Sequence, residues 1–234
     1  MENQISGNIN YKQVHQTNIK SLQISDYFLN LNNKIKEIRK DEKYEIMYED
    51  GSTYSGNINN SYERSGSGIL RFKNGCVLSG IFEKNNIEKC DLLKIPYNVY
   101  KNYFSDHEMF CKYSDKYKLY WPIFYNGQFK YNKFNGNGVL SNYYGQSYDG
   151  SFENGFKHGF GVMTQDEYVF IGFFVRDKKH GKGIMIFGKN KIYGEWNYDT
   201  LNRNTFTNIT KSNYGKIVPY FIDVGKNNNI HIHI

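Results

Sequence analysis

Cysteine is scarce in this chain: Cys76, Cys90 and Cys111 are odd in number, widely spaced and form no C-x-x-C pair. A disulfide framework and a cysteine-based zinc site are thereby excluded as organising features, and a reducing compartment is the default. Long apolar runs are missing as well, and no stretch approaches membrane-spanning length. The opening residues MENQISGNIN lack the apolar centre of a signal peptide and carry Glu2 where myristoylation needs glycine. The expectation is a cytoplasmic protein, soluble or at most peripheral. Alanine is absent and the mean hydropathy is −0.71, which argues against a deep globular core in 234 residues. Catalytic signatures are also lacking: there is no P-loop, GxSxG, HExxH or nucleophile with a partnered base. No catalytic, cofactor-binding or metal-binding residue is assigned, and the chain is not expected to be an enzyme. Asp106, His107, Glu108 and Cys111 read as a polar loop, and His158 and His180 as turn residues roughly 10 Å apart, two strand spacings, too far to share a metal. His231 and His233, on one side of a short terminal strand, are at most adventitious ligands.

What the chain has in abundance is glycine and aromatic side chains, with 22 Gly, 22 Tyr and 17 Phe. Aromatics favour a half-buried pleated surface, so the composition leans all-β. The clearest stretch is YDGSFENGFKHGFGVMT, residues 148–164. Tyr148, Gly150 and Phe152 share one face of a strand, Asn154 and Gly155 suit a tight turn, and Gly159 and Gly161 open a returning strand. The same arrangement recurs. Marker glycines Gly127, Gly150, Gly172 and Gly194 are separated by 23, 22 and 22 residues, and Gly56 and Gly80 by 24. Paired glycines follow in Gly66 and Gly68, Gly136 and Gly138, Gly159 and Gly161, and Gly181 and Gly183. Such a period signals a repeat array. A glycine between two aromatics leaves a gap in which a ring from an adjoining hairpin is expected to lie on bare backbone. Residues 83–121 break the pattern, as a degenerate repeat or as an insertion. Asn102 stands at a marker position there, and Lys118 to Trp121 is a candidate returning strand.

On these residues the chain resembles the MORN repeat, Y-x-G-x-[FW]-x-x-G-x-x-x-G-x-G, strongly over 125–196 and well over 54–82. Asn102, Ile58 in place of the second aromatic, and missing G-x-G pairs in the second, third and last units depart from it. The resemblance implies an all-β fold, an elongated single-layer antiparallel meander of stacked β-hairpins. It also implies a scaffold role: protein partners, cytoskeletal ones included, at the cytoskeleton, in a cilium, or at the cytoplasmic face of a membrane. MORN arrays also occur fused to phosphoinositide kinase and SET-type methyltransferase domains, and the non-repeat segments here are too short for either.

Around this array, 44–224, the sequence places a polar segment 1–43 and a tail 225–234. Phe28, Leu31, Ile35 and Ile38 recur at helical spacing and predict an amphipathic helix over 26–42, which either closes one end of the sheet or lies with its basic side chains on a membrane or partner. The net charge is +7 with a pI near 9.0, and most of the excess lies beyond residue 157. Arg176, Lys178, Lys179, Lys182, Lys189 and Lys191 form the candidate binding cluster, read as solvated side chains free to meet phosphates or acidic groups. Tyr148, Phe152, Phe174 and Trp196 form a candidate aromatic face, mainly packing, whose groove would hold a partner's helix or strand. An anionic phospholipid surface and a catalytic chain needing an accessory subunit are the competing partner classes. Homodimerisation through an exposed sheet edge is a further expectation, and nucleic acid is not.

Overall fold

The computed structural model describes residues 34–96, 123–142, 145–165 and 167–232. Among them, one sheet is built from β1 (Ile35–Lys40), β2 (Tyr44–Tyr48), β3 (Thr53–Ile58), β4 (Arg64–Arg71), β5 (Val77–Glu83), β6 (Asn86–Ile95), β7 (Ile123–Lys130), β8 (Lys133–Asn142), β9 (Ser147–Glu153), β10 (Phe156–Thr164), β11 (Val169–Val175), β12 (Lys178–Phe187) and β13 (Asn190–Asn197). Two short strands, β14 (Thr200–Leu201) and β15 (Thr207–Asn208), both pair with β13. Through β14 each strand lies antiparallel to its sequence neighbour, so the sheet is an open meander of stacked hairpins. Among the described residues, a helix, α1 (Lys211–Asn227), follows.

Two expectations change here. The part of the 26–42 segment that is described is strand β1, not helix, and the rest lies outside the described residues. The reason is a bulge between Ile35 and Glu37: Ile35 pairs with Tyr48 and Ile38 with Ile46. The extra residue puts side chains three apart on one face, as a helix would. The helix stands instead at the C-terminal end, within the range assigned to the array, where residues 211–224 are helical rather than strands. Its packing residues Val218 and Phe221, with Ile230 beyond it, cover Phe160, Ile171 and Ile184 on the outer face of β10 to β12.

The irregular region resolves into two parts. Residues 86–95 form β6, a full hairpin partner of β5 despite lacking G-x-G. β6 then pairs directly with β7, so residues 97–122 join strands that are already neighbours. Asn102 and the candidate strand at Lys118 to Trp121 lie outside the described residues.

Opposed residues form one row along the sheet: Gly56, Gly68, Gly80, Cys90, Gly127, Gly138, Gly150, Gly161, Gly172, Gly183 and Gly194. Cys90 takes the place of a glycine. The bare backbone is used by a ring of the same hairpin rather than of an adjoining one. Tyr54 lies over Gly56 and Gly68, Tyr125 over Gly127 and Gly138, Tyr148 over Gly150 and Gly161, and Phe170 over Gly172 and Gly183. The two glycines of each G-x-G do different things. In the fifth hairpin Gly159 takes φ +70° within the bulge between Lys157 and Gly161, a conformation costly to other residues. Gly161 has ordinary φ but no room for a Cβ.

Candidate functional site

The six predicted basic residues do not form one patch. Arg176 and Lys178 are exposed at the β11–β12 turn, and Lys182 is exposed farther along β12, opposite Glu195. Lys189 lies at the next turn, beyond the far end of the ten-residue β12, roughly 30 Å away. Lys191 follows it, with Nζ 6.0 Å from the Tyr214 ring centre. Lys179 is not solvated at all. It is 4% exposed on the ring-bearing face, with Nζ 3.6 Å from Asp199 and 5.3 Å from the Tyr168 ring centre. A charge count along the chain cannot separate two faces and two edges.

The aromatic face is likewise interior. Tyr148, Phe152, Phe174 and Trp196 are all buried in one core cluster. Their rings meet edge to face in a continuous chain: Phe129 to Tyr125, Tyr125 to Phe152, Phe152 to Tyr148, Tyr148 to Phe174, Phe174 to Phe170 and Phe170 to Trp196, with centroids 4.9–5.5 Å apart. That geometry matches the ring quadrupoles. Each hairpin is thus tied to the next by a ring, and no groove is left for a partner on these four residues.

A second tie went unseen in the sequence. In the tight turns Lys84–Asn85, Tyr131–Asn132, Asn154–Gly155, Arg176–Asp177 and Tyr198–Asp199, the second residue turns inward to the preceding hairpin. Asp177 N–H donates to Lys157 O at 2.9 Å, and Lys157 N–H donates to Asp177 Oδ1 at 2.8 Å. Asp199 and Lys179 repeat the pair at 2.9 and 2.9 Å. Asn85 and Arg64 do so at 3.0 and 2.9 Å. Asn132 Oδ1 accepts from Ile87 N–H, and Gly155 N–H donates to Phe134 O. The cationic members Arg64, Lys157 and Lys179 are buried over aromatic rings. Burial pushes the ammonium groups of Lys157 and Lys179 below their usual range, against the pull of Asp177 and Asp199. The available signal was the constant offset of 20 residues from Lys157 to Asp177 and from Lys179 to Asp199.

What remains outside is the first residue of each turn. Because these hairpins all join an odd strand to the following even one, their tips lie along one edge of the sheet. His158 and His180 stand on strands just behind them, not in the turns. His158 Nε2 is 3.3 Å from Glu153 Oε2, and the His180 ring centre is 4.7 Å from that of Tyr198.

The core tyrosines make the fold alkali-sensitive. Tyr54, Tyr125 and Tyr148 each donate a hydroxyl to the backbone carbonyl three residues on, at 2.7, 2.9 and 2.9 Å. Burial pushes Tyr54 and Tyr168 up to about 12, and Tyr125 and Tyr148 upward too. The folded chain therefore holds more protons than the unfolded chain above pH 10, the ordinary tyrosine value. Their contribution to stability is complete below pH 10 and is lost as pH rises towards about 12. The share of the phenolate absorbance that comes from these buried tyrosines is expected to rise in one cooperative step together with loss of the β-sheet circular dichroism signal, after the exposed tyrosines have ionised. Full ionisation of all the tyrosines with the sheet intact contradicts this.

Four stretches, residues 62–77, 125–142, 148–166 and 170–191, match the model of the MORN repeat family. The chain is a MORN-repeat protein. Its MORN sheet extends beyond the matched stretches on both sides, through β1 to β3, β6 and the last residues of β13. Alsin from Rattus norvegicus is 27% identical over 173 residues, covering 70% of this chain and 9% of that protein. Alsin from Mus musculus and from Homo sapiens matches to the same extent. The chain thus spans about a tenth of the length of these curated relatives. MORN repeats typically bind membranes or proteins and are generally non-catalytic. Among the described residues, no helix is long and apolar enough to cross a membrane.

Proposed function

We propose that this MORN array is a non-catalytic scaffold that binds other proteins, serving the cytoskeleton or its junction with a membrane. One observation carries the reading. The repeat spends its aromatic stripe and its inward turn residues on joining hairpins, while the outward turn residues vary freely at a constant step along one edge. Stability and display are thereby separated, which is what a binding platform requires. The small share of Alsin that matches supports reading the array as a module that serves a larger assembly. The scatter of basic residues over two edges and the core counts against a single lipid-binding patch.

The test is proximity labelling from the full chain in its own cell, followed by binding of the recovered proteins to the purified chain. A reproducible set of direct protein partners is expected. Sedimentation with anionic vesicles and no protein partner would overturn the reading in favour of a lipid-binding module.

A further inference from the structure

The row of outward turn residues contains a conformational anomaly. Type I′ turns and related left-handed positions favour Asn, Asp and Gly, because a bulky side chain is strained at positive φ. Here Tyr62, Tyr131 and Tyr198 occupy such positions, at φ +60°, +51° and +46°. Nor are they placed there to fill a core, being 56%, 77% and 52% exposed. Tyr131 has the Lys130 ammonium 5.5 Å from its ring centre, and Tyr198 lies against the half-buried His180 ring. Strained, exposed aromatic residues repeated along an edge call for a role outside the chain's own packing.

The remaining tips are Lys84, Asn154 and Arg176, all exposed. Successive hairpins set the tips roughly 10 Å apart, so Tyr131 to Tyr198 spans about 30 Å. Between the Tyr131 and Asn154 tips the bulges at Gly136 and Gly159, both at φ +70°, leave a concavity of about 520 Å³. Its walls include Lys130, Tyr131, Asn135, Ser151, Glu153 and His158. From the β3–β4 turn to the β13–β14 turn, basic residues outnumber acidic ones on this edge. Lys84, Lys130, Lys133, Arg176 and Lys178 face Glu63, Glu83 and Glu153, while Asp177 and Asp199 are turned inward to the staples.

We infer that this edge is a docking surface for an extended acidic polypeptide segment of a partner protein, a refinement that rests on the scaffold reading. A segment of about nine residues spans the tips from Tyr131 to Tyr198. Its carboxylates meet Lys130, Arg176 and Lys178, and one apolar or aromatic side chain sits in the concavity against Tyr131. The three glutamates interspersed along the edge select against a continuous phosphate array, whether of a nucleic acid or of a lipid headgroup layer, because each would face a phosphate of its own sign.

The test uses the full chain and the variant Tyr131→Asn, Arg176→Asn, Tyr198→Asn. Asparagine suits all three left-handed positions, so the variant is expected to unfold at the same temperature as wild type or higher. Probes are a display library of nine-residue Glu- and Asp-rich peptides, a single-stranded oligonucleotide, vesicles containing phosphatidylserine, and any partner recovered by labelling. The expected result is that wild type binds acidic peptides and the partner, that the triple variant binds both at least tenfold more weakly, and that Lys189→Asn on the opposite edge binds as wild type. Unchanged partner binding by a folded triple variant overturns this assignment while leaving the scaffold reading intact. Binding of only the oligonucleotide or only the vesicles overturns it in favour of that ligand class. Absence of any protein partner for wild type sinks the scaffold reading itself, and this edge with it.

Discussion

Replacing Gly161 with alanine is expected to destabilise the protein by about 3 kcal/mol, the upper range for forcing a methyl group into a packed core. A Cβ there would stand 2.5 Å from the Tyr148 ring, and Gly161 has no left-handed backbone to complicate the reading. The ring cannot swing away, since it is fixed edge to face against Phe152 and Phe174 and its hydroxyl donates to Ser151 O. Tyr148→Ala alone is expected to cost about 4 kcal/mol, as deletion of a large buried aromatic does. In that background the alanine at 161 occupies space the ring has left, so its added cost is expected to fall below about 1 kcal/mol, a coupling of roughly 2 kcal/mol. Urea denaturation of the four proteins measures it. Simple additivity would show that glycine is required at 161 for some reason other than the ring.

Asp199→Ala is expected to be at least as damaging, at about 3 to 5 kcal/mol, because it leaves the Lys179 ammonium in the core without its carboxylate. It also takes the acceptor from Lys179 N–H. The rescue is specific: Asp199→Asn combined with Lys179→Met keeps an amide oxygen for that N–H and removes the buried charge. The pair is expected to restore stability to within about 1 kcal/mol of wild type, in line with exchanges of buried ion pairs for apolar groups. The pH response identifies the cause. Burial already holds Lys179 below its ordinary 10.5, and loss of Asp199 lowers it further. The unfolded chain then binds more protons than the folded one between the lowered folded value and 10.5, and the stability of Asp199→Ala is expected to climb as pH rises towards 10.5. A loss under about 1 kcal/mol, or no climb with pH, would place the strength of the joint in the backbone bonds alone.

The hairpin repeat and its marker glycines were legible because a period of 22 residues leaves little freedom once two strands and two tight turns are accounted for. What a period cannot carry is direction normal to the sheet. Lys179 and Lys178 are adjacent and equally charged in the sequence, yet one lies in the core and the other in solvent. The aromatic face was read as mainly packing with a groove beside it; alternation places rings on one side without saying that successive rings interlock, as Tyr148, Phe152, Phe174 and Trp196 do in the core. The helix over 26–42 was suggested by Phe28, Leu31, Ile35 and Ile38; the first two lie outside the described residues, and the spacing of three between the last two is produced in β1 by a bulge. The true helix was hidden by Gly215, Pro219 and Gly225 within it, residues that ordinarily argue against one. The staples were missed for a different reason: they join residues of unlike type in different repeats, and become visible only when repeats are superposed.

The connection formed by residues 97–122 has a practical consequence. The strands it joins, β6 and β7, are hydrogen-bonded neighbours, so their pairing does not depend on the length of chain between them. The tip side has no such latitude from the Lys84–Asn85 turn onward, because each two-residue turn there is held by the bonds it makes with the hairpin before it. A reporter or an additional domain therefore belongs in that connection, and a family of such arrays can gain cargo on one margin while the spacing of its opposite margin stays constant, as teeth keep their pitch whatever is fastened to the spine of a comb.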